Sequence, residues 1–74
     1  MTSAQLKATL RQQPFRPFTV RMVDARSFTV SHPEWVFVSP TGRTAMLFEP
    51  DDSYSVVGLM LMNELEVLPT KNAG

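Results

Sequence analysis

Few side chains in this sequence belong to the types that perform catalysis. His32 is the only histidine among 74 residues, so a hydrolytic triad would need it as general base. Asp51 and Asp52 form the only pair of adjacent carboxylates, but within Pro-Asp-Asp-Ser an aspartate commonly bonds its own backbone in a turn. His32 is expected at a strand end, as a capping or surface residue. We therefore predict no catalytic residues and no enzymatic activity.

The residues also argue against a metal or a cofactor. The chain has no cysteine and one histidine, whereas a structural zinc site needs four ligands of these types. Met60 and Met62 carry soft sulfur that copper(I) accepts, but packing in a core or an interface is the favoured role. Gly42, Gly58 and Gly74 are too far apart for a glycine-rich phosphate loop.

Nucleic-acid binding is the alternative that the charge distribution leaves open. Residues 1–33 hold five Lys or Arg against one Asp, and residues 34–74 reverse that balance, so the halves carry +4 and −4. The candidate phosphate contacts are Lys7, Arg11, Arg16, Arg21 and Arg26, with aromatic side chains available to stack on bases. The net charge of zero argues against this role, since nucleic-acid binders usually carry a basic excess.

The first element that positions these residues is a short helix over about residues 3–13. Thr2 and Gln5 have the spacing of a capping box at its start. Leu6 and Leu10, one turn apart, mark the buried side. Pro14 is expected to end the helix because it has no N–H and clashes with the preceding turn.

A β-hairpin follows between Phe18 and His32. Two runs alternate with period two, and their inward residues are Phe18, Val20, Met22, Phe28 and Val30. The turn is Asp24-Ala25-Arg26. A two-residue turn favours glycine where Ala25 stands, so we expect a longer or bulged turn.

The remaining chain reads as further short strands within residues 18–68. The predicted elements are strands at Trp35–Val38, Thr44–Phe48, Tyr54–Val57 and Asn63–Leu68, with a single helical turn at Leu59–Met62. In the last strand, Leu65 and Val67 should face inward and Glu64 and Glu66 outward. The pattern predicts one mostly β domain of α+β class over 1–74: a helix, a five-stranded antiparallel meander closing into a small barrel, and a loose tail at 70–74.

Two segments favour self-association. A chain of 74 residues buries only about 60% of its unfolded surface, and oligomerisation is a common source of added stability. The strand at Trp35–Val38 is apolar on both faces, and residues 59–62 are rich in Leu and Met. The candidate association residues are Trp35, Val36, Leu59, Met60, Leu61 and Met62.

Three short motifs resemble a family of short uncharacterised bacterial proteins. They are Q-P-F-R-P-F at Gln13–Phe18, D-A-R-S-F at Asp24–Phe28 and H-P-E at His32–Glu34. Asp-Gly-Arg is usual at the turn in that family, so Ala25 departs from the pattern. The resemblance implies no established activity.

The order of elements is also similar to the Sm-like fold, a small barrel of SH3-like type. Sm-like proteins assemble into rings, and many bind RNA. Gly58 matches the glycine of their second motif, but Val57 stands in place of the RNA-contacting arginine. The first motif has no clear match in Trp35–Leu47. The resemblance therefore implies the architecture more strongly than the RNA site.

We expect a small self-assembly or interaction module, with an Sm-like RNA-binding ring as the alternative. An unidentified protein is a further expected partner. The N-terminus lacks a signal peptide and the longest apolar run is seven residues, well short of the roughly 20 that span a membrane. The expected location is cytoplasmic.

Overall fold

The structure is a computed structural model that describes residues 1–69, so the predicted tail at 70–74 lies outside the described residues. The elements in chain order are α1 Ser3–Leu10, β1 Phe18–Met22, β2 Ser27–Val30, a 3-10 turn Pro33–Trp35, β3 Val36–Val38, β4 Thr44–Phe48, β5 Tyr54–Gly58, a second 3-10 turn Leu59–Leu61 and β6 Met62–Val67. The chain is mostly β with one short helix, as the sequence predicts.

The strands form two antiparallel sheets rather than one five-stranded meander. Their orders are β2-β1-β6 and β3-β4-β5. The 3-10 turn Leu59–Leu61 separates β5 from β6, and β6 then pairs with β1, where Phe18 lies opposite Val67. Within residues 1–69, no hydrogen-bonded ladder joins the two sheets into a closed barrel.

Helix α1 begins as predicted and ends at Leu10, about one turn early. Thr2 and Gln5 form the capping box, each side chain accepting from the other residue's backbone N–H. The N–H of Arg11 is shared between two carbonyl oxygens of the last turn. Pro14 disfavours helical backbone at Gln13, so the helix could not extend through residue 13.

Three loops between strands share one turn geometry. Ala25, Gly42 and Asp52 adopt left-handed backbone, with φ of 76°, 74° and 73°. Each donates its N–H to a carbonyl oxygen three residues earlier, at Met22, Ser39 and Glu49, over 3.1, 2.9 and 3.0 Å. A left-handed residue after such a turn is typical of bulged hairpin loops, which confirms the prediction at Ala25.

One core lies between the helix and the inward faces of the two sheets. Its largest fully buried side chains are Phe18, Leu6, Leu47 and Val20. Leu6 is the only fully buried residue of α1, so it anchors the helix.

One predicted strand boundary and one inward assignment need correction. Trp35 lies in the 3-10 turn that Pro33 begins, so the strand starts one residue later, at Val36. Val67 is 36% exposed because it is the last residue of β6, whereas Leu65 packs against the core. Glu64 and Glu66 are exposed, as predicted.

Candidate interaction surface

The outer face of the β2-β1-β6 sheet is polar and charged. Arg21 on β1 lies opposite Glu64 on β6 and bonds the carboxylate of Glu66 through both Nε and Nη2. Its Nε is also 3.7 Å from Oε1 of Glu64. The hydrogen bond and the charge of Glu66 raise the pKa of Arg21 above its ordinary value. This face has the side chains expected of a sheet surface that meets water.

The outer face of the β3-β4-β5 sheet is apolar. Phe37, Met46 and Val56 are register neighbours across its centre. Phe37 is 66% exposed and Val56 is 59% exposed, although both are large apolar residues in regular strands. We call this surface the β3–β4–β5 face; it comprises Phe37, Thr44, Met46, Phe48, Tyr54, Val56 and Gly58.

The two ends of the β3–β4–β5 face differ in size. At one end Phe48 and Tyr54 are register partners, and their ring centroids are 5.3 Å apart. At the other end the partners are Thr44 and Gly58. A shallow hollow of about 240 Å³ lies between this smaller end and the central row, lined by Phe37, Met46 and Val56 among others.

The two ends also differ in charge. Arg43 directly precedes β4 beside the small end and is exposed. Glu49, Asp51 and Asp52 lie in the β4–β5 turn beside the aromatic end. Oδ1 of Asp51 accepts from the Ser53 hydroxyl at 2.6 Å and from its N–H at 3.0 Å, which lowers the pKa of this carboxyl. Asp51 therefore stays ionised near neutral pH.

The residues predicted for self-association divide into buried and exposed groups. Val36, Leu59 and Met62 are buried in the core of a single chain, so they offer no surface to a partner. Met60 and Leu61 are 90% and 50% exposed. They lie at the second 3-10 turn, where the carbonyl oxygen of Leu61 accepts from the N–H of Val23 at 2.8 Å. With Val23, which is 61% exposed, Met60 and Leu61 make a second group of exposed apolar residues. Leu61 borders the small end of the β3–β4–β5 face, since its side chain lies 4.0 Å from the position of a Cβ on Gly58.

Trp35, the remaining candidate, is half-buried and packs against His32, with ring centroids 4.5 Å apart. His32 is exposed and makes no side-chain capping bond, so it has the surface role that its position predicted. Oδ1 of Asp51 accepts a hydrogen bond from the N–H of Ser53 within the turn. This confirms the prediction that the Asp51–Asp52 pair belongs to a turn in which an aspartate bonds the nearby backbone.

None of the six residues predicted for self-association lies on the β3–β4–β5 face. A signal for it exists, since β4 reads T-A-M-L-F and is apolar at consecutive positions. Such a strand has apolar side chains on both faces, and only one face can be covered by the core.

Comparison with protein-family models, with curated proteins and with solved structures finds no match to this chain. The resemblances to short bacterial proteins and to the Sm-like fold therefore stay predictions.

The five candidate phosphate contacts lie on different elements. Arg21 is paired with carboxylates on β6, and Nε of Arg26 is 2.9 Å from Oδ2 of Asp24 within the β1–β2 turn. Arg16 donates from Nη2 to the carbonyl oxygen of Leu68 at 2.9 Å. Lys7 and Arg11 lie on and just after α1, one helical turn apart.

Residues 1–69 bring together no three acidic, His or Cys side chains in an arrangement that would hold a metal ion. No helix in that range is long and apolar enough to cross a membrane.

Proposed function

We propose that this chain is a non-catalytic module that self-associates, and that copies meet through the β3–β4–β5 face. The observation that carries the proposal is the contrast between the two outer sheet faces. A sheet face that meets only water has polar side chains, as the face around Arg21 does. Exposed Phe37 and Val56 depart from that rule in the centre of a regular sheet.

Association through this face would remove apolar surface from water. Burying a Val or Phe side chain contributes about 1.5–3 kcal/mol. A domain this small has a limited core, so this added burial also stabilises the fold. The similarity in element order to Sm-like barrels, which assemble into rings, agrees with self-association and does not specify the surface.

The first prediction uses matched substitutions in the two groups of exposed apolar residues. Val56 and Val23 have nearly equal exposure, 59% and 61%, and only Val56 lies on the β3–β4–β5 face. Val56→Thr should weaken self-association by about tenfold, since it places a hydroxyl in each half of an apolar interface. Val23→Thr should leave self-association unchanged. Sedimentation equilibrium across the micromolar range measures both.

A second matched pair separates this surface from the group at the second 3-10 turn. Met46→Gln should weaken association, whereas Met60→Gln should not. The reverse result would assign association to Met60 and contradict the proposed surface. A wild-type mass that stays at 8.3 kDa at every concentration would contradict self-association itself.

A further inference from the structure

We propose that two copies stack their β3–β4–β5 faces with strand directions reversed, forming a closed two-fold dimer. This inference rests on the proposed function and specifies its partner and geometry. Stacked sheets lie about 10 Å apart, with inner side chains interdigitating. With the strands reversed, the central row of Phe37, Met46 and Val56 in one copy packs on the same row of the other copy. The aromatic end of each copy then packs on the small end of its partner.

The shapes of the two ends select the reversed arrangement. Reversal places the Phe48–Tyr54 aromatic pair of each copy over the Thr44–Gly58 row of its partner, so large side chains meet small ones. Stacking with parallel strands would place aromatic pair on aromatic pair and leave a gap over Gly58. Close packing favours the reversed arrangement, because gaps and overpacking both cost free energy.

Gly58 supplies independent support, because this chain alone does not require a glycine there. Its φ is −83°, which any residue adopts. A Cβ built on it would meet nothing closer than the Arg43 carbonyl oxygen at 3.9 Å. Gly58 is the last residue of β5, and a glycine in a sheet can mark close approach by another chain or ligand. In the reversed dimer, that approaching group is the aromatic pair of the partner copy.

The charges select the same arrangement. Arg43 and Glu49 flank the five residues of β4 and are six positions apart, about 20 Å along an extended strand. Reversal brings Arg43 of each copy to the acidic β4–β5 turn of the other, twice in one dimer. Parallel stacking would place acidic turn beside acidic turn. Both arguments therefore favour one geometry.

The size of the face sets the expected affinity. Three strands about 4.8 Å apart and five residues of about 3.3 Å each give a face of roughly 14 by 17 Å. A face of about 240 Å² per copy is well below the roughly 800 Å² per partner of a standard interface, so we expect a weak dimer with a dissociation constant in the upper micromolar range. Because both copies use the same patch, assembly closes at two copies and does not continue into a ring.

The decisive experiment places a side chain at Gly58. Gly58→Val should raise the dissociation constant by roughly a hundredfold, because its methyl groups occupy the space of the partner's aromatic pair in both halves. The same substitution should raise the melting temperature of the monomer, since valine suits an extended strand better than glycine. Thr29→Val, on the outer face of the other sheet, is the control and should leave the dimer intact.

Charge reversal tests the orientation separately. Arg43→Glu alone and Glu49→Lys alone should each weaken the homodimer by roughly tenfold. Mixing the two variants should restore much of the lost affinity, because the contact between positions 43 and 49 joins opposite charges in both halves of the mixed pair. Arg11→Glu is the control for charge reversal away from the face. Sedimentation and native mass spectrometry report homodimer and heterodimer directly.

The outcomes distinguish this inference from the proposed function. If Val56→Thr dissociates the assembly while Gly58→Val does not, or mixing the charge variants fails to restore pairing, the reversed two-fold geometry is wrong and the surface stands. An assembly larger than two copies also overturns the geometry. A wild-type monomer overturns both proposals.

Discussion

Ala25 is the residue whose type suits its backbone least. Of the three left-handed turn positions, Gly42 has the freedom of glycine and Asp52 belongs to a type that tolerates this conformation. At Ala25 a methyl group stands in the left-handed region, which costs an L-residue about 1–2 kcal/mol. The sequence predicted a longer or bulged turn because glycine is absent, and the structure places Ala25 at the left-handed position of a bulged turn.

Replacing this methyl group should therefore stabilise the protein. Ala25→Gly is expected to raise the free energy of unfolding by about 0.5–1 kcal/mol, since glycine enters this conformation without steric cost but loses more freedom on folding. Urea unfolding measures the change. Ala8→Gly, at an exposed position of α1, should do the opposite by about 1 kcal/mol. A destabilised Ala25→Gly variant would contradict the strain at this position.

At the scale of elements, two turns depend on ionised aspartates. The backbone N–H of Arg26 and then its side chain lower the pKa of Asp24, as the hydroxyl and N–H of Ser53 do for Asp51. A carboxyl whose pKa is lower in the folded chain stabilises it above the unfolded pKa of about 3.9. That stability is lost as pH falls through the lowered folded pKa.

The free energy of unfolding should accordingly fall as the pH drops below about 5 and through the lowered pKa values of the folded chain. Asp51→Asn should make this fall shallower, because the asparagine does not titrate. Ser53→Ala should also make the fall shallower, since it removes the hydroxyl that donates to Asp51 and lowers the pKa of that carboxyl. Urea titrations at several pH values measure the slope. An unchanged slope in both variants would show that this turn does not contribute to the acid response.

The elements that the sequence predicted best are those with their own local signals. β4 has the predicted bounds, and the capping box of Thr2 and Gln5 begins α1 as expected. The pairing of β6 with β1 was not predicted, because period-two alternation assigns faces within a strand and contains no information on which strand is adjacent. Trp35 was misplaced because a 3-10 turn next to a strand has no period of its own over three residues.

At the scale of the whole molecule, the candidate site was predictable only in part. The sequence indicated excess apolar surface, but half of the residues it named, such as Leu59 and Met62, fill the core. Composition cannot distinguish an apolar residue that the chain covers itself from one that a partner covers. That distinction depends on sheet topology, which leaves Phe37 and Val56 on an open face.

Charge at this scale also bears on RNA. The basic N-terminal half and the acidic C-terminal half contact each other in the fold, since Arg21 forms ion pairs with Glu64 and Glu66. We expect no binding to single-stranded RNA tighter than about 10 μM near physiological salt, the weak side of the non-specific range. Fluorescence anisotropy with labelled RNA over a salt series tests this. Sub-micromolar, salt-sensitive binding that Arg16→Ala and Arg21→Ala weaken would favour the RNA-binding alternative.

The pairing of β1 with β6 has a consequence for how the chain folds. Phe18 lies opposite Val67, so this ladder closes a loop that spans residues 18–67, whereas β3, β4 and β5 pair with their sequence neighbours. Closing a long loop loses more entropy before any contact compensates for it, and pairings distant in sequence slow folding. The β3-β4-β5 sheet can thus form early, while β1 has one unpaired edge until β6 arrives. The arrival of β6 is the expected rate-limiting step, and until then the inward side chains of β1 are only partly covered.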